Sequence, residues 1–276
     1  MPEGDTVFLA AQRLDEALRG QVLTRGELRH PDFAAADLGG RTVLSVRSAG
    51  KHLLFRFDDK TTLHTHFRMD GSWHLYRPGE RWRGPAHQVR ALLTTADRVA
   101  VGFRLHDLAL VPTAEEHTLI GHLGPDLLSP DWDQAMEDEA VRRLAADPAR
   151  ELGTALLDQR VLAGVGNLYK AEVCFLLGVS PWSPVGAVDA RAAVRLCRRL
   201  LFRNRLRPEQ STTGRLGAAS HWVFERGRAG CLRCGGPVRV GEQESYGMPR
   251  LTYHCPRCQP DATLETVDPE LEGGSP

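Results

Sequence analysis

The sequence predicts an α+β protein: an antiparallel β-sandwich with a leading helix, then a helical region that ends in a cysteine-bearing β-hairpin. Three observations predict it. Apolar residues at helical spacing open the chain and give way to short alternating, β-branched segments up to residue 112. Helical periodicity then returns from residue 135. Two Cys-x-x-Cys pairs, separated by 20 residues, bracket a strand pattern near the end.

The leading helix follows Met1-Pro2-Glu3-Gly4-Asp5. Asp5 or Thr6 can cap it, and Val7, Ala11, Leu14 and Leu18 recur on one face until Gly20. Removal of Met1 turns Pro2 into a free secondary α-amine beside a carboxylate. Such an amine titrates near ~8, against ~10.4 for a lysine, so it is partly neutral at working pH. It can attack an aldehyde-level carbon, C1′ of a sugar, and form a cationic iminium that draws electrons. The positive end of the helix lowers the amine pKa further.

Thr42 to Val46, Lys51 to Phe57, Thr61 to Phe67, Val89 to Thr95 and Arg98 to Phe103 read as strands, with Asp58-Asp59-Lys60 and Thr95-Ala96-Asp97 as turns. Lys51, leading an apolar strand after Gly50, can reach a phosphate. His64 and His66 share one strand face and read as phosphate contacts or a plain polar face. Phe67 to Gly71 forms a turn with an apolar tip, Met69, that can wedge into a base stack. Residues 123–134 carry Gly124-Pro125 and Ser129-Pro130 and read as a linker. Helices are expected over 135–146, 151–161, 167–177 and 188–204. Between two of them, Gly164-Val165-Gly166-Asn167 can present a helix N-terminus to a phosphate, with Asn167 as its cap.

Cys231, Cys234, Cys255 and Cys258 have the spacing of a tetrahedral zinc site built from two knuckles, with Val238 to Val240 and Leu251 to Tyr253 as a hairpin between them. Disulfides do not suit a cytosolic chain. Cys174 and Cys197 fall in helical patterns as small core residues. No run approaches a membrane span and no signal pattern opens the chain, so a cytoplasmic protein without a membrane partner is expected. Net charge is zero, but Arg191 to Cys258 holds 14 arginines, no lysine and four acids, a net charge of +10. A polyanion-binding face follows. Pro260 to Pro276 holds five acids and no basic residue; from residue 263 it is expected to be a disordered acidic tail.

Taken together, the Met-Pro-Glu-Gly start, Gly50-Lys51, Leu162 to Asn167, Arg250 five residues before Cys255 and the cysteine pairs resemble the formamidopyrimidine-DNA glycosylase and endonuclease VIII family of base-excision repair enzymes. The resemblance runs from residue 2 to 258. It implies an N-terminal catalytic β-sandwich over 1–122, a helix–two-turn–helix DNA-binding domain over 135–225 and a zinc finger over 226–262. It further implies a monomer acting on damaged nucleoid DNA, with one structural zinc ion and no catalytic cofactor. Pro2 would attack C1′, Glu3 would assist with protons and Lys51 would complete the catalytic group. Lys51, Asn167 and Arg250 would grip phosphates, while Met69, with Arg68 and Asp70, would fill the space of an everted nucleotide and His66 would face the backbone.

Two departures stand out. Where the family often has a further carboxylate at position 6, this chain has Thr6, which leaves open whether Asp5 replaces it. The arginine-rich loop of the formamidopyrimidine branch is replaced by Phe103 to Leu108. That second departure, with the Gly50-Lys51-His52 and Met69-Asp70-Gly71-Ser72-Trp73 stretches, looks more like an actinobacterial-type endonuclease VIII, for which oxidised pyrimidines are the favoured substrates and β,δ-elimination the cleavage route. The rival reading is a zinc-containing DNA-binding or damage-sensing protein without catalysis, which has no need of Pro2-Glu3 at a processed terminus.

Overall fold

The computed structural model of the protein describes residues 2–245 and 247–262; the predicted acidic tail lies outside them. Helix α1 (Gly4–Leu18) buries Val7, Ala11, Leu14 and Leu18, the stripe its spacing predicts. Its N-cap differs from expectation. Glu3, not Asp5 or Thr6, occupies that position, and no side chain caps the helix. Both nearby carboxylates are turned instead toward the helical half of the molecule.

Eight strands follow: β1 (Arg25–Leu28), β2 (Val43–Ala49), β3 (His52–Phe57), β4 (Thr61–His66), β5 (Ser72–Tyr76), β6 (Val89–Thr94), β7 (Val99–Phe103) and β8 (Asp107–Pro112). They form two four-stranded antiparallel sheets, ordered β1-β6-β7-β5 and β2-β3-β4-β8. Leu53, Phe55, Leu63, Leu93 and Ala100 fill the space between them, and the buried face of α1 joins the same core. Alternation drives this arrangement, since each strand must hide one face. Lys51 does not begin a strand as expected. Gly50 and Lys51 are the two-residue turn joining β2 to β3, and Gly50 has φ +56°, the sign that matches a hairpin turn to the twist of its strands.

Among the described residues the further helices are α2 (His117–Ile120), α3 (Gln134–Ala145), α4 (Leu152–Leu157), α5 (Asn167–Leu177) and α6 (Ala190–Asn204). Their core holds Leu144, Leu156, Tyr169, Phe175 and Leu200, with Cys174 and Cys197 fully buried in it. Phe8 of α1 packs against this second core, so one helix touches both halves. The stretch read as a linker is packed: Leu127 is fully buried, and Asp126 accepts a 2.9 Å hydrogen bond from Gly50 N–H. The last element is an antiparallel hairpin of β9 (Arg239–Ser245) and β10 (Met248–His254), with the four spaced cysteines at its root.

Candidate active site

A cleft of about 390 Å³ separates the sandwich from the helical half and the hairpin. Pro2, Lys51, His66, Arg68, Met69, Asn167 and Arg250 all line it. Seven residues spread over most of the chain therefore meet in one place.

Glu3 lies beneath this cleft, fully buried. Its carboxylate reaches the open end of α5: Oε1 accepts from Leu168 N–H at 2.7 Å and Oε2 from Gly166 N–H at 2.8 Å. A helix N-terminus offers unpaired donors and positive potential, so a carboxylate is held there firmly. The approach requires glycine at 166, because a Cβ there would stand 2.4 Å from Glu3 Cδ. Burial pushes the Glu3 carboxyl up to about 7, against the pull of Lys51 and of the two N–H groups. Burial also lowers the Lys51 ammonium, with Glu3 opposing and Arg250 reinforcing the effect. An acid near neutrality can give or take a proton at working pH.

Asp5 is not among the residues that line the cleft. It is buried, with Oδ2 accepting from the Tyr169 hydroxyl at 2.6 Å and Oδ1 from Gln210 Nε2 at 2.8 Å. The Asp5 carboxylate is thus taken up by Tyr169 and Gln210, and position 6 itself carries Thr6. Neither Gln210 nor Tyr169 carries a signal in the sequence that would mark it as a partner of Asp5.

On the sandwich side, Met69 is 54% exposed and stands at the tip of its turn. Arg68 is clamped by Asp107, with Nη2 3.0 Å from Oδ1. His66 accepts from Arg68 N–H through Nδ1 at 3.0 Å. His66 opposes His52 across β3 and β4, and His52 Nδ1 lies 2.8 Å from His64 Nε2. Burial and the neighbouring imidazoles push His52 down to about 2, and burial brings His66 to about 4. These two imidazoles are thus uncharged at neutral pH, and the cationic side chains lining the cleft are Lys51, Arg68 and Arg250.

On the helical side, Asn167 is the first residue of α5 and not its cap, a position that Gly166 takes. Its Nδ2 donates to the carbonyl of Leu251 in β10 at 2.7 Å, fastening helix to hairpin. Arg250, the preceding residue, brings Nη1 to 4.0 Å from Met69 Sδ. The hairpin and the sandwich turn therefore meet across the opening.

The cysteine Sγ atoms lie within 4.8 Å of one another, with the Cys231–Cys258 pair at 3.9 Å and the Cys234–Cys255 pair at 3.6 Å. Thiolates about 2.3 Å from a zinc ion would stand about 3.8 Å apart in a tetrahedron, so the set fits the metal. Among the described residues no helix is long and apolar enough to cross a membrane.

The formamidopyrimidine-DNA glycosylase N-terminal domain description matches residues 1–108, and that family's H2TH domain description matches residues 123–202. The chain belongs to the formamidopyrimidine-DNA glycosylase and endonuclease VIII family. It is 56% identical over 263 residues to the probable endonuclease 8 2 of Streptomyces coelicolor, covering 94% of each chain. It is 42% identical over 261 residues to the DNA-(apurinic or apyrimidinic site) lyase Nei2 of Mycolicibacterium smegmatis, covering 94% of this chain and 99% of that one. In fold it resembles the Lactococcus lactis Fpg of a complex with N7-benzyl-Fapy-dG DNA, with a TM-score of 0.76 at 22% identity over 94% of this chain and all of that one. For this family member, Pro2, Lys51 and Arg250 are the residues at which its two halves converge.

Proposed function

We propose that the protein is a bifunctional DNA glycosylase and abasic-site lyase of base-excision repair, with oxidised pyrimidines as its favoured substrates. The observation that carries this reading is the convergence of Pro2, Lys51 and Arg250 on one cleft, above a buried Glu3 whose carboxyl titrates near 7.

A base inside a duplex hides C1′, so the nucleotide is everted at a cost of a few kcal/mol. Met69 fills the space it leaves. Lys51 and Arg250 contact the flanking phosphates, and Asn167 acts with them through the hairpin it fastens. The Pro2 nitrogen lone pair forms a bond to C1′ as the glycosidic bond breaks, and the base leaves with the electron pair and takes up a proton. The C1′–O4′ bond then opens, Glu3 gives a proton to O4′, and an iminium joins Pro2 to C1′. The iminium acidifies C2′–H; loss of that proton expels the 3′ phosphate, and a second elimination expels the 5′ phosphate. Water finally releases Pro2. Zinc held by Cys231, Cys234, Cys255 and Cys258 keeps the hairpin folded and takes no part in these steps.

Sodium borohydride trapping on DNA with an oxidised pyrimidine tests the reading. The trimmed protein should give a covalent adduct. A variant with one residue left ahead of Pro2 has an amide nitrogen in place of the amine and should bind the same DNA yet give none. An adduct from the blocked protein at the wild-type rate would refute Pro2 as nucleophile, with Lys51 the next residue to test. Binding without trapping or cleavage by the trimmed protein would favour the damage-sensing alternative.

A further inference from the structure

Lys170 is a fully buried lysine that the chemistry above does not use. It lies one helical turn after Asn167 on α5, and its Nζ donates to Thr252 Oγ1 in β10. Thr252, also fully buried, donates to Gln243 Oε1 at 3.1 Å. Gln243 lies on β9 and is itself buried; its Nε2 donates to Glu151 Oε2 at 2.8 Å and to the Pro181 carbonyl at 3.0 Å. Each donor in this series points the same way, from an ammonium through two neutral groups to a carboxylate.

A buried charge without a partner is costly, and a chain of aligned hydrogen bonds polarises each of its members. The series therefore locks both strands of the hairpin against the helical half, with charge at its two ends. Burial brings the Lys170 ammonium down to about 8, with Cys174, Glu3 and Glu151 opposing, so it stays mostly charged at neutral pH. Asn167 and Lys170 together hold Leu251 and Thr252, the two residues directly after Arg250. Arg250 itself pairs in register with Gln243.

We infer that Lys170 is a positioning residue: the Lys170–Thr252–Gln243–Glu151 series sets the height and angle at which Arg250 meets the DNA backbone. The inference rests on the reading of Arg250 as a phosphate contact. It treats the hairpin as a part aimed from beneath, with zinc folding its root and Lys170 fixing its reach.

The test measures binding to a duplex carrying a tetrahydrofuran abasic analogue, which cannot be cleaved, across a range of salt concentrations. One phosphate contact contributes about 0.9 to the slope of log affinity against log salt. Lys170→Met and Arg250→Ala should each flatten the slope by about one unit, and the double variant should flatten it no further. Thr252→Val should match Lys170→Met, while Thr252→Ser should restore the wild-type slope; this pair carries the test if Lys170→Met does not fold. Zinc content and thermal melting check folding, because a loss of stability alone leaves the slope unchanged. A wild-type slope in both Lys170→Met and Thr252→Val, with a flattened slope in Arg250→Ala, overturns the positioning role, as does a two-unit loss in the double variant. A wild-type slope in Arg250→Ala overturns the phosphate reading of Arg250 and the inference with it.

Discussion

Glu3 Oε1 accepts a 2.7 Å hydrogen bond from the backbone N–H of Leu168, 165 residues further along the chain. The carboxylate of the leading segment thus completes the first turn of a helix in the other half of the molecule. Glycine at 166 admits it, and a Cβ there would collide with the Glu3 side chain itself.

Gly166→Ala is therefore expected to displace Glu3 while leaving Pro2 and the zinc hairpin in place. Base removal under single-turnover conditions should fall by about 10²-fold, the lower end of what a positioned acid contributes. Cleavage of a ready-made abasic site should fall much less. Equal losses in both activities would argue that the substitution damages the whole cleft.

The Glu3 carboxyl at about 7 sets a pH signature. If Glu3 must be protonated to open the sugar during base removal, its active fraction drops about tenfold per pH unit above 7. On the proposed chemistry both activities need the neutral amine of Pro2, so that dependence cancels in their ratio. The ratio of base removal to abasic-site cleavage should thus decline above pH 7, and Glu3→Gln should abolish the decline. The same shift bears on stability. The folded carboxyl binds its proton more tightly than the unfolded one at 4.5, so Glu3 favours the fold below 4.5 and loses that contribution as pH rises through about 7.

Purified protein should contain one zinc ion per chain. Cys231→Ser or Cys255→Ser should lose it and weaken binding to abasic-analogue DNA, because β10 carries Arg250 and ends beside Cys255. Metal analysis and binding isotherms on the same preparations check both halves of this expectation. Metal-free wild-type protein with full affinity would contradict it.

Glu172 is fully buried and accepts from the backbone N–H groups of Trp222, Val223 and Phe224 at 2.8 to 2.9 Å, and from the Thr212 hydroxyl. Glu172→Ala leaves these donors without their acceptor, each at a cost of about 1–3 kcal/mol. A loss of at least about 3 kcal/mol in chemical denaturation is expected. Glu172→Gln should fall between the two, since an amide oxygen can accept only part of the set.

The sequence discloses this site unevenly, and the reason is physical. Pro2, Lys51 and the four cysteines are legible because their chemistry depends on residue type and short spacing. The stripe of α1 is legible because burial imposes a helical period. Nothing local marks Lys170 as buried or Asn167 as bound to a hairpin carbonyl, since both depend on β10, more than eighty residues away. The two-residue turn at Gly50-Lys51 was within reach: a glycine between two strand patterns invites a hairpin. The capping of α1 was not, because Glu3 and Asp5 are claimed by partners that only tertiary structure supplies.

The first turn of α5 also imposes an order in time. Ribosomes release Pro2 first, and the donors that hold Glu3 follow about 165 residues later. At roughly 5–20 residues per second, that interval is on the order of ten seconds. The hairpin, and Arg250 with it, arrives later still. On the proposed chemistry, the nascent chain throughout this interval carries the Pro2 amine without Glu3 held in place and without Arg250. On that chemistry, a stalled chain ending before Cys231 should remove no base from damaged DNA in a base-release assay.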